Sequence, residues 1–223
     1  TLFRSLLYDT LMWKDAGGLI PWLATSWRAG PDGRSYVFTL RPDVRWHDGR
    51  PFTAADVKFS LDEIDGKFHG RFRLGYDNVA SVTTPNPMTV VIRMKQPFAP
   101  FANYLATYNM VMLPKEIYQQ DGHLRNTMVG TGPFQLDMSA SQKGTLWVMK
   151  KNPNYFVEGK PYLDSYRALF IKDPSAQVAA IRGERAMIQF RGFSPSERDS
   201  LVAALGPKIT VQESPWNCSI QVA

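Results

Sequence analysis

The sequence predicts a mixed fold of helices and strands, α+β over most of its length and merging into α/β toward the C-terminal end. Residues 35–41 and 89–95 alternate apolar and polar side chains, which is typical of strands with one buried face. From residue 166 onward, strand-like and helix-like segments alternate, and this favours an α/β arrangement. The chain contains no internal repeat and no low-complexity segment.

The stretch Pro21–Leu61 predicts strand, turn, strand, turn and helix in that order. Pro31–Gly33 supplies a turn, because proline presets its own φ and glycine accepts a positive one. A strand over 35–41 then has one apolar face, formed by Tyr36, Phe38 and Leu40. Thr53–Asp56 resembles a capping box with aspartate in place of glutamate, so a helix is expected from Ala54. Its expected buried face consists of Val57, Leu61 and Ile64.

The remaining elements are assigned by the same rules. Further helices are predicted over residues 1–13, 98–105, 114–120, 174–182 and 195–205. Further strands are predicted over residues 26–29, 44–46, 79–84, 134–138, 145–151, 166–172, 186–190, 208–213 and 218–222. Asp173 and Ser194 are the expected N-caps of the last two helices, with Glu197 completing a capping box.

The composition of the chain limits the classes of protein to which it can belong. With 223 residues, 44% of them hydrophobic, the chain can bury a sizeable core. The net charge of +6 allows an anionic partner, but the basic residues are scattered, which disfavours nucleic-acid binding. The single cysteine, Cys218, excludes an intrachain disulfide. Thr1 opens in mid-pattern without a signal peptide, so we interpret the chain as a mature or truncated product.

Motifs for catalysis, metals or cofactors are missing from the sequence. The three histidines have no metal-ligand spacing, and His47 is interpreted as an ordinary turn residue beside Asp48. Gly130–Gly132 resembles the start of a dinucleotide fingerprint, but Pro133 follows and a third glycine is absent. The sequence therefore predicts no enzyme, no metal and no cofactor.

Glycosidases use two carboxyl side chains that flank the scissile bond. Two carboxylate pairs, Asp9 with Asp15 and Asp62 with Glu63, are interpreted as solvated faces. Nothing in the sequence singles out either pair as an acid and base.

Aromatic residues are the richer signal. Trp27, Trp46 and Tyr36 are predicted to be core residues. Residues 106–112 mix aromatic, amide and thioether groups, a composition that accepts varied ligands. A buried core strand is an equally good interpretation of that segment.

Four stretches resemble the solute-binding proteins of ABC importers in the oligopeptide, dipeptide and nickel group, family 5. PWLATSW (21–27) is similar to the family's P-x-L-A-x-S-W, and residues 36–56 are similar to its tFxLRxgVkFhDGxPfxAxD. VGTGPF (129–134) and residues 151–173 are similar to its vGTGPf and rNpxYwxgkPyLDxixfxxixD. The likeness covers almost the whole chain in the right order.

The resemblance implies a type II periplasmic-binding-protein fold with two lobes, of which this chain is most of the first, with an inserted antiparallel subdomain. Members are usually more than twice this length, so the second lobe and a leader are expected to be missing. The implied division is 1–30 for part of the lobe core, 31–150 for the inserted subdomain and connections, and 151–223 for the α/β core leading toward the hinge.

The resemblance also implies a function: a periplasmic, monomeric substrate-binding component of an ABC transporter. Its expected partners are a peptide or small-molecule ligand and an inner-membrane permease, and not nucleic acid. Where the family often has an acid after Glu184, this chain has Arg185-Ala186-Met187. The GTGPF residues are expected to be architectural. The residues expected to face the ligand are Tyr108, Asn109, Met110, Trp13, Arg191, Gly192, Phe193 and Trp216.

Three other classes of function stay open. A hydrolase would need a convergent acid, base and nucleophile, which the sequence does not offer. A nucleic-acid-binding module would bind polyanions with a steep salt dependence. A stand-alone interaction domain derived from a binding protein differs from a truncated receptor only in the context of the full reading frame.

Overall fold

The computed structural model of the chain describes residues 4–65, 67, 76–107, 109–122, 128–189 and 192–212. In its first half the elements are α1 Arg4–Leu7, β1 Met12–Asp15, β2 Gly18–Pro21, β3 Ala24–Ala29, β4 Ser35–Leu40, α2 Ala54–Phe59, β5 Val79–Asn86, β6 Thr89–Met94 and α3 Phe101–Leu105. The elements that follow are α4 Lys115–Asp121, β7 Phe134–Leu136, β8 Leu146–Lys151, β9 Ser165–Leu169, α5 Pro174–Arg182 and α6 Pro195–Leu205. A π-helical turn, Ser60–Asp65, extends α2, and a 3₁₀ turn, Gly206–Lys208, follows α6.

The strands form three sheets. β1 and β2 are an antiparallel hairpin, β3, β4, β6 and β5 form a four-stranded sheet in that order, and β7, β8 and β9 form a third. In the four-stranded sheet, Phe38 lies opposite Val90 and Tyr36 opposite Ile92. All four of these side chains are buried, so the predicted apolar face of residues 35–41 is confirmed.

The chain divides into two compact units. The first contains residues 1–142 and 147–167, and the second contains residues 143–146 and 168–223. The main core belongs to the first unit and includes residues of β4, β6, α2 and α3. The described structure is therefore a mixed α and β fold with antiparallel sheets. The division into 1–30, 31–150 and 151–223 stays a prediction.

Helices α2, α5 and α6 begin at their predicted N-caps. Thr53 and Asp56 form the capping box of α2, and Ser194 and Glu197 form that of α6. Asp173 caps α5 by accepting a hydrogen bond from the backbone N–H of Ala176 at 2.7 Å. In the described residues, no helix is long and apolar enough to cross a membrane.

Several predicted elements differ from the structure. Residues 8–13 are not helical, because α1 ends at Leu7 and β1 begins at Met12. Residues 44–46 contribute only an isolated bridge, between Arg45 and Pro51. Residues 186–189 and 209–212 are not strands. A strand needs a neighbour to pair with, and no described segment pairs with these residues. The predicted strand 218–222 lies outside the described residues.

Candidate functional site

Asp9 is a buried carboxylate at the centre of a polar cluster in the first unit. It lies between α1 and β1 and only 3% of its surface is exposed. Its Oδ1 accepts a hydrogen bond from Trp22 Nε1 at 2.7 Å and one from the Tyr155 hydroxyl at 3.4 Å. Its Oδ2 accepts one from the Thr131 hydroxyl at 2.9 Å. The interpretation of Asp9 as part of a solvated acidic face is therefore wrong.

Burial dominates the electrostatics of this cluster. Removal from water raises the pKa of Asp9 to about 6, although the three hydrogen bonds act in the opposite direction. Burial and the neighbouring Asp9 charge also raise the pKa of Tyr155, so its hydroxyl stays a donor. Asp9 can consequently change charge near neutral pH while its three donors do not.

The loop Gly130–Gly132 packs directly on the end of α1. Gly132 donates its N–H to the Leu7 carbonyl oxygen at 3.0 Å, and a side chain at Gly130 would overlap that same oxygen. Asn152 donates its Nδ2–H to the Gly132 carbonyl oxygen at 2.9 Å. These contacts agree with the architectural role expected for the GTGPF residues, since glycine alone allows so close an approach.

His47 holds the same loop from the other side. It donates its backbone N–H to the Gly130 carbonyl oxygen at 2.8 Å, and its Nδ1 accepts from the Gly130 N–H at 3.1 Å. Because Nδ1 accepts, Nε2 carries the hydrogen that it donates to the Gly132 carbonyl oxygen at 3.0 Å. Burial lowers the pKa of His47 and favours this neutral form. The interpretation of His47 as an ordinary turn residue misses these contacts.

Four aromatic side chains, Trp13, Trp22, Tyr155 and Phe156, form what we call the aromatic cluster. The ring centroids of Trp13 and Trp22 are 5.7 Å apart, and Phe156 meets Trp22 edge-on at 5.4 Å. Tyr155 and Phe156 are 4.7 Å apart. The Arg41 guanidinium lies 5.1 Å from the Phe156 centroid, while Arg41 Nε donates to the Trp22 carbonyl oxygen at 3.2 Å. All four rings are half-buried, so the cluster keeps an exposed surface.

The structure brings one group of the predicted ligand-facing residues close to this cluster. Thr10 and Val111 form an isolated bridge, and Met112 donates its N–H to the Asp9 carbonyl oxygen at 2.9 Å. The segment 109–112 therefore runs beside the segment 9–12 that leads to Trp13. Asn109 is 8% exposed and Met110 is fully buried in the core.

The other predicted ligand-facing residues are not brought together by the described structure. Gly192 is exposed and Phe193 is half-buried, and both precede α6 in the second unit. Tyr108, Arg191 and Trp216 lie outside the described residues. Ligand contact by any of these side chains stays a prediction.

Sequence reasoning did not group Asp9 with its partners. Trp22, Thr131 and Tyr155 each lie in a different one of the stretches that carry the family resemblance. The presence of these three side chains in family-like stretches was the available signal for a shared site, since hydrogen-bonded partners need not be close in sequence. Among the described residues, no group of three or more His, Cys, Asp or Glu side chains could hold a metal ion.

Solved structures and curated proteins resemble the chain over most of its length. The agropinic-acid-bound protein AgaA of A. tumefaciens R10 matches 82% of this chain with a TM-score of 0.75 and 29% identity, over 37% of its own chain. The peptide-bound DppA of Helicobacter pylori matches 87% of this chain with a TM-score of 0.76 and 27% identity, over 42% of its own. The glutathione-binding protein GsiB of Salmonella typhimurium is 34% identical over 184 residues, 81% of this chain and 35% of GsiB.

These likenesses define the class of protein as the bacterial solute-binding proteins. The sequence profile of one family matches residues 18–217, and the chain belongs to that family, the bacterial extracellular solute-binding proteins, family 5. Its members are non-enzymatic binding proteins found outside the cytoplasm. The chain spans about a third of the length of the curated relatives it matches.

Proposed function

We propose that the chain is part of the substrate-binding component of an ABC importer, which captures a peptide or similar small solute in the periplasm and presents it to an inner-membrane permease. Membership of family 5 over residues 18–217 carries this proposal. GsiB is named for glutathione, and the structures of AgaA and DppA are complexes with agropinic acid and with the peptide STSA. All of these ligands are small, polar and carboxylate-bearing.

The aromatic cluster is the proposed contact surface within the first unit. It exposes ring surface of Trp13 and Trp22 beside the Arg41 guanidinium. Aromatic faces favour the apolar parts of a solute, and a guanidinium favours a carboxylate. Asn109, which is 8% exposed in the neighbouring segment 109–112, would add an amide contact.

Capture requires a conformational change that depends on whether a solute is bound. A solute that touches two lobes favours the closed arrangement, because only that arrangement forms both sets of contacts. The permease would then recognise the closed, loaded protein. No bond is made or broken in the solute at any step.

The function is tested on the protein expressed from the complete reading frame. Dipeptides, tripeptides, glutathione and opines are screened by thermal unfolding, and hits are measured by calorimetry. At least one solute should raise the unfolding temperature in proportion to the logarithm of its concentration. Hydrolysis of a peptide or glycan, with no such stabilisation, would favour the hydrolase alternative.

Trp13 provides a specific prediction for the proposed surface. Trp13→Ala in the complete protein should weaken binding of the captured solute about tenfold, because an aromatic contact of about 1.4 kcal/mol is removed. Tyr162→Ala is the control, since Tyr162 is 80% exposed and its ring lies against the Lys160 ammonium, 3.5 Å from the ring centroid. Equal affinities for the two variants would exclude Trp13 from the site.

A further inference from the structure

Three hydrogen-bond donors from separate parts of the chain converge on Asp9. Trp22, Thr131 and Tyr155 occupy both carboxylate oxygens, and the side chain has almost no contact with solvent. An ionised carboxylate only accepts hydrogen bonds, so its charged form satisfies all three donors at once. One of those donors, Trp22, belongs to the aromatic cluster and touches both Trp13 and Phe156.

We propose that Asp9 is a proton-linked positioning residue: its ionised carboxylate fixes the indole of Trp22 and hence the aromatic cluster, and its protonation weakens the hydrogen bond that holds that ring. The consequence for solute capture rests on the function proposed above. The change in the ring itself does not, because it depends only on contacts within the first unit.

The proton that Asp9 binds has one favourable position, on Oδ2. A hydroxyl both donates and accepts, so Thr131 can turn its hydrogen away and accept an Oδ2–H bond from protonated Asp9. Oδ1 then loses its charge while Trp22 and Tyr155 still point at it. Hydrogen bonds to an ionised acceptor are about twice as strong as neutral ones, so the indole of Trp22 is held less firmly.

The tyrosine hydroxyls around Asp9 differ from it in pKa, so its titration can be distinguished from theirs. Burial raises the pKa of Tyr8 to about 12 and that of Tyr155 further, so both phenols stay protonated. The Arg41 guanidinium lies 5.1 Å from the Phe156 centroid and is a further charged group near Tyr155. Residues 21–27, which include Trp22, contain no titratable side chain, and neither do residues 109–112. His47, which holds the Thr131 loop, is the competing group because its pKa lies below the ordinary histidine value.

Nuclear magnetic resonance on the complete protein tests the proposal without any ligand. The indole N–H of Trp22 and the carboxyl carbon of Asp9 are followed from about pH 4.5 to about pH 8. Both signals should move together with a midpoint of about 6, whereas the indole of Trp27, on β3, should not follow them. A Trp22 signal that stays constant while Asp9 titrates would overturn the proposal.

Variants assign the transition to one group. Asp9→Asn should abolish the movement of the Trp22 signal, and His47→Gln should leave it in place. The opposite pattern would make His47 the responsible group and would also overturn the proposal. If Asp9→Asn does not fold, Tyr155→Phe replaces it: loss of a donor to the carboxylate should raise the shared midpoint, and an unchanged midpoint counts against Asp9.

Solute affinity is a separate readout. For a solute found in the screen, binding to the wild type should be weaker at pH 5 than at pH 7, and this difference should disappear in Asp9→Asn. If no solute binds at any pH, the proposed function fails while the resonance experiment still decides the role of Asp9.

Discussion

Asp9 and His47 both bind the loop 130–132, and their contributions to the stability of the folded protein depend on pH in opposite directions. The raised pKa of Asp9 means that the folded protein binds its proton more readily than the unfolded chain, so stability from this group is lost as pH rises from about 4 to about 6. The lowered pKa of His47 means that stability is instead lost as pH falls below about 6.5. The two effects oppose each other wherever their pH windows overlap.

Gly130 is the residue at which substitution should be most damaging in this loop. Gly130→Ala places a Cβ on the Leu7 carbonyl oxygen and close to the half-buried Tyr8 ring, and the backbone cannot move freely to avoid the overlap. We expect a loss of about 3 kcal/mol in the free energy of unfolding, measured with urea. Gly17→Ala is the control because its Cβ would meet only the end of the Asp15 side chain. Equal losses in both variants would contradict the close approach seen at Gly130.

Asp9 could not be assigned from the sequence because its environment is built from distant segments. Local sequence shows an acid beside Thr10 and near Asp15, which is typical of a solvent-exposed strand end. The donors that bury it are residues 22, 131 and 155. The aromatic cluster is missed for the same reason, since its four rings come from two segments more than a hundred residues apart in sequence.

Among the elements, α6 is stabilised by a complete capping box. Ser194 accepts from the Glu197 N–H, and Glu197 accepts from the Ser194 N–H at 2.8 Å. Ser194→Ala should lower the free energy of unfolding of the protein by about 1 kcal/mol, because the first turn loses an acceptor. Ser200→Ala makes the same exchange inside the helix and should cost less, because it removes only an exposed hydrogen bond from Arg182. A larger loss for Ser200→Ala, measured by urea unfolding, would count against the cap.

Elements whose signals are local were predicted well. The caps of α2, α5 and α6 and the alternation of β4 and β6 all lie within a few residues of the structure they specify. Residues 186–189 and 209–212 have strand-like composition but no described pairing partner. Composition alone cannot supply that partner, because pairing is a property of two segments.

At the scale of the whole molecule, capture by two lobes predicts a contrast in affinity. Residues 1–223 expressed alone should bind solutes weakly or not at all, since the chain covers about a third of the length of its relatives. The protein from the complete reading frame should bind the same solute measurably by calorimetry. Circular dichroism provides the control that the shorter chain is folded. Micromolar affinity of residues 1–223 for a peptide would contradict capture by two lobes.

The long sequence separations at Asp9 also bear on the order in which the protein is made. Thr131 is 122 residues away from Asp9, and Tyr155 is 146 residues away. At the usual speed of translation, Asp9 must wait on the order of ten seconds for these partners to leave the ribosome. Asp9 is therefore synthesised well before its native hydrogen-bond donors exist to bury it.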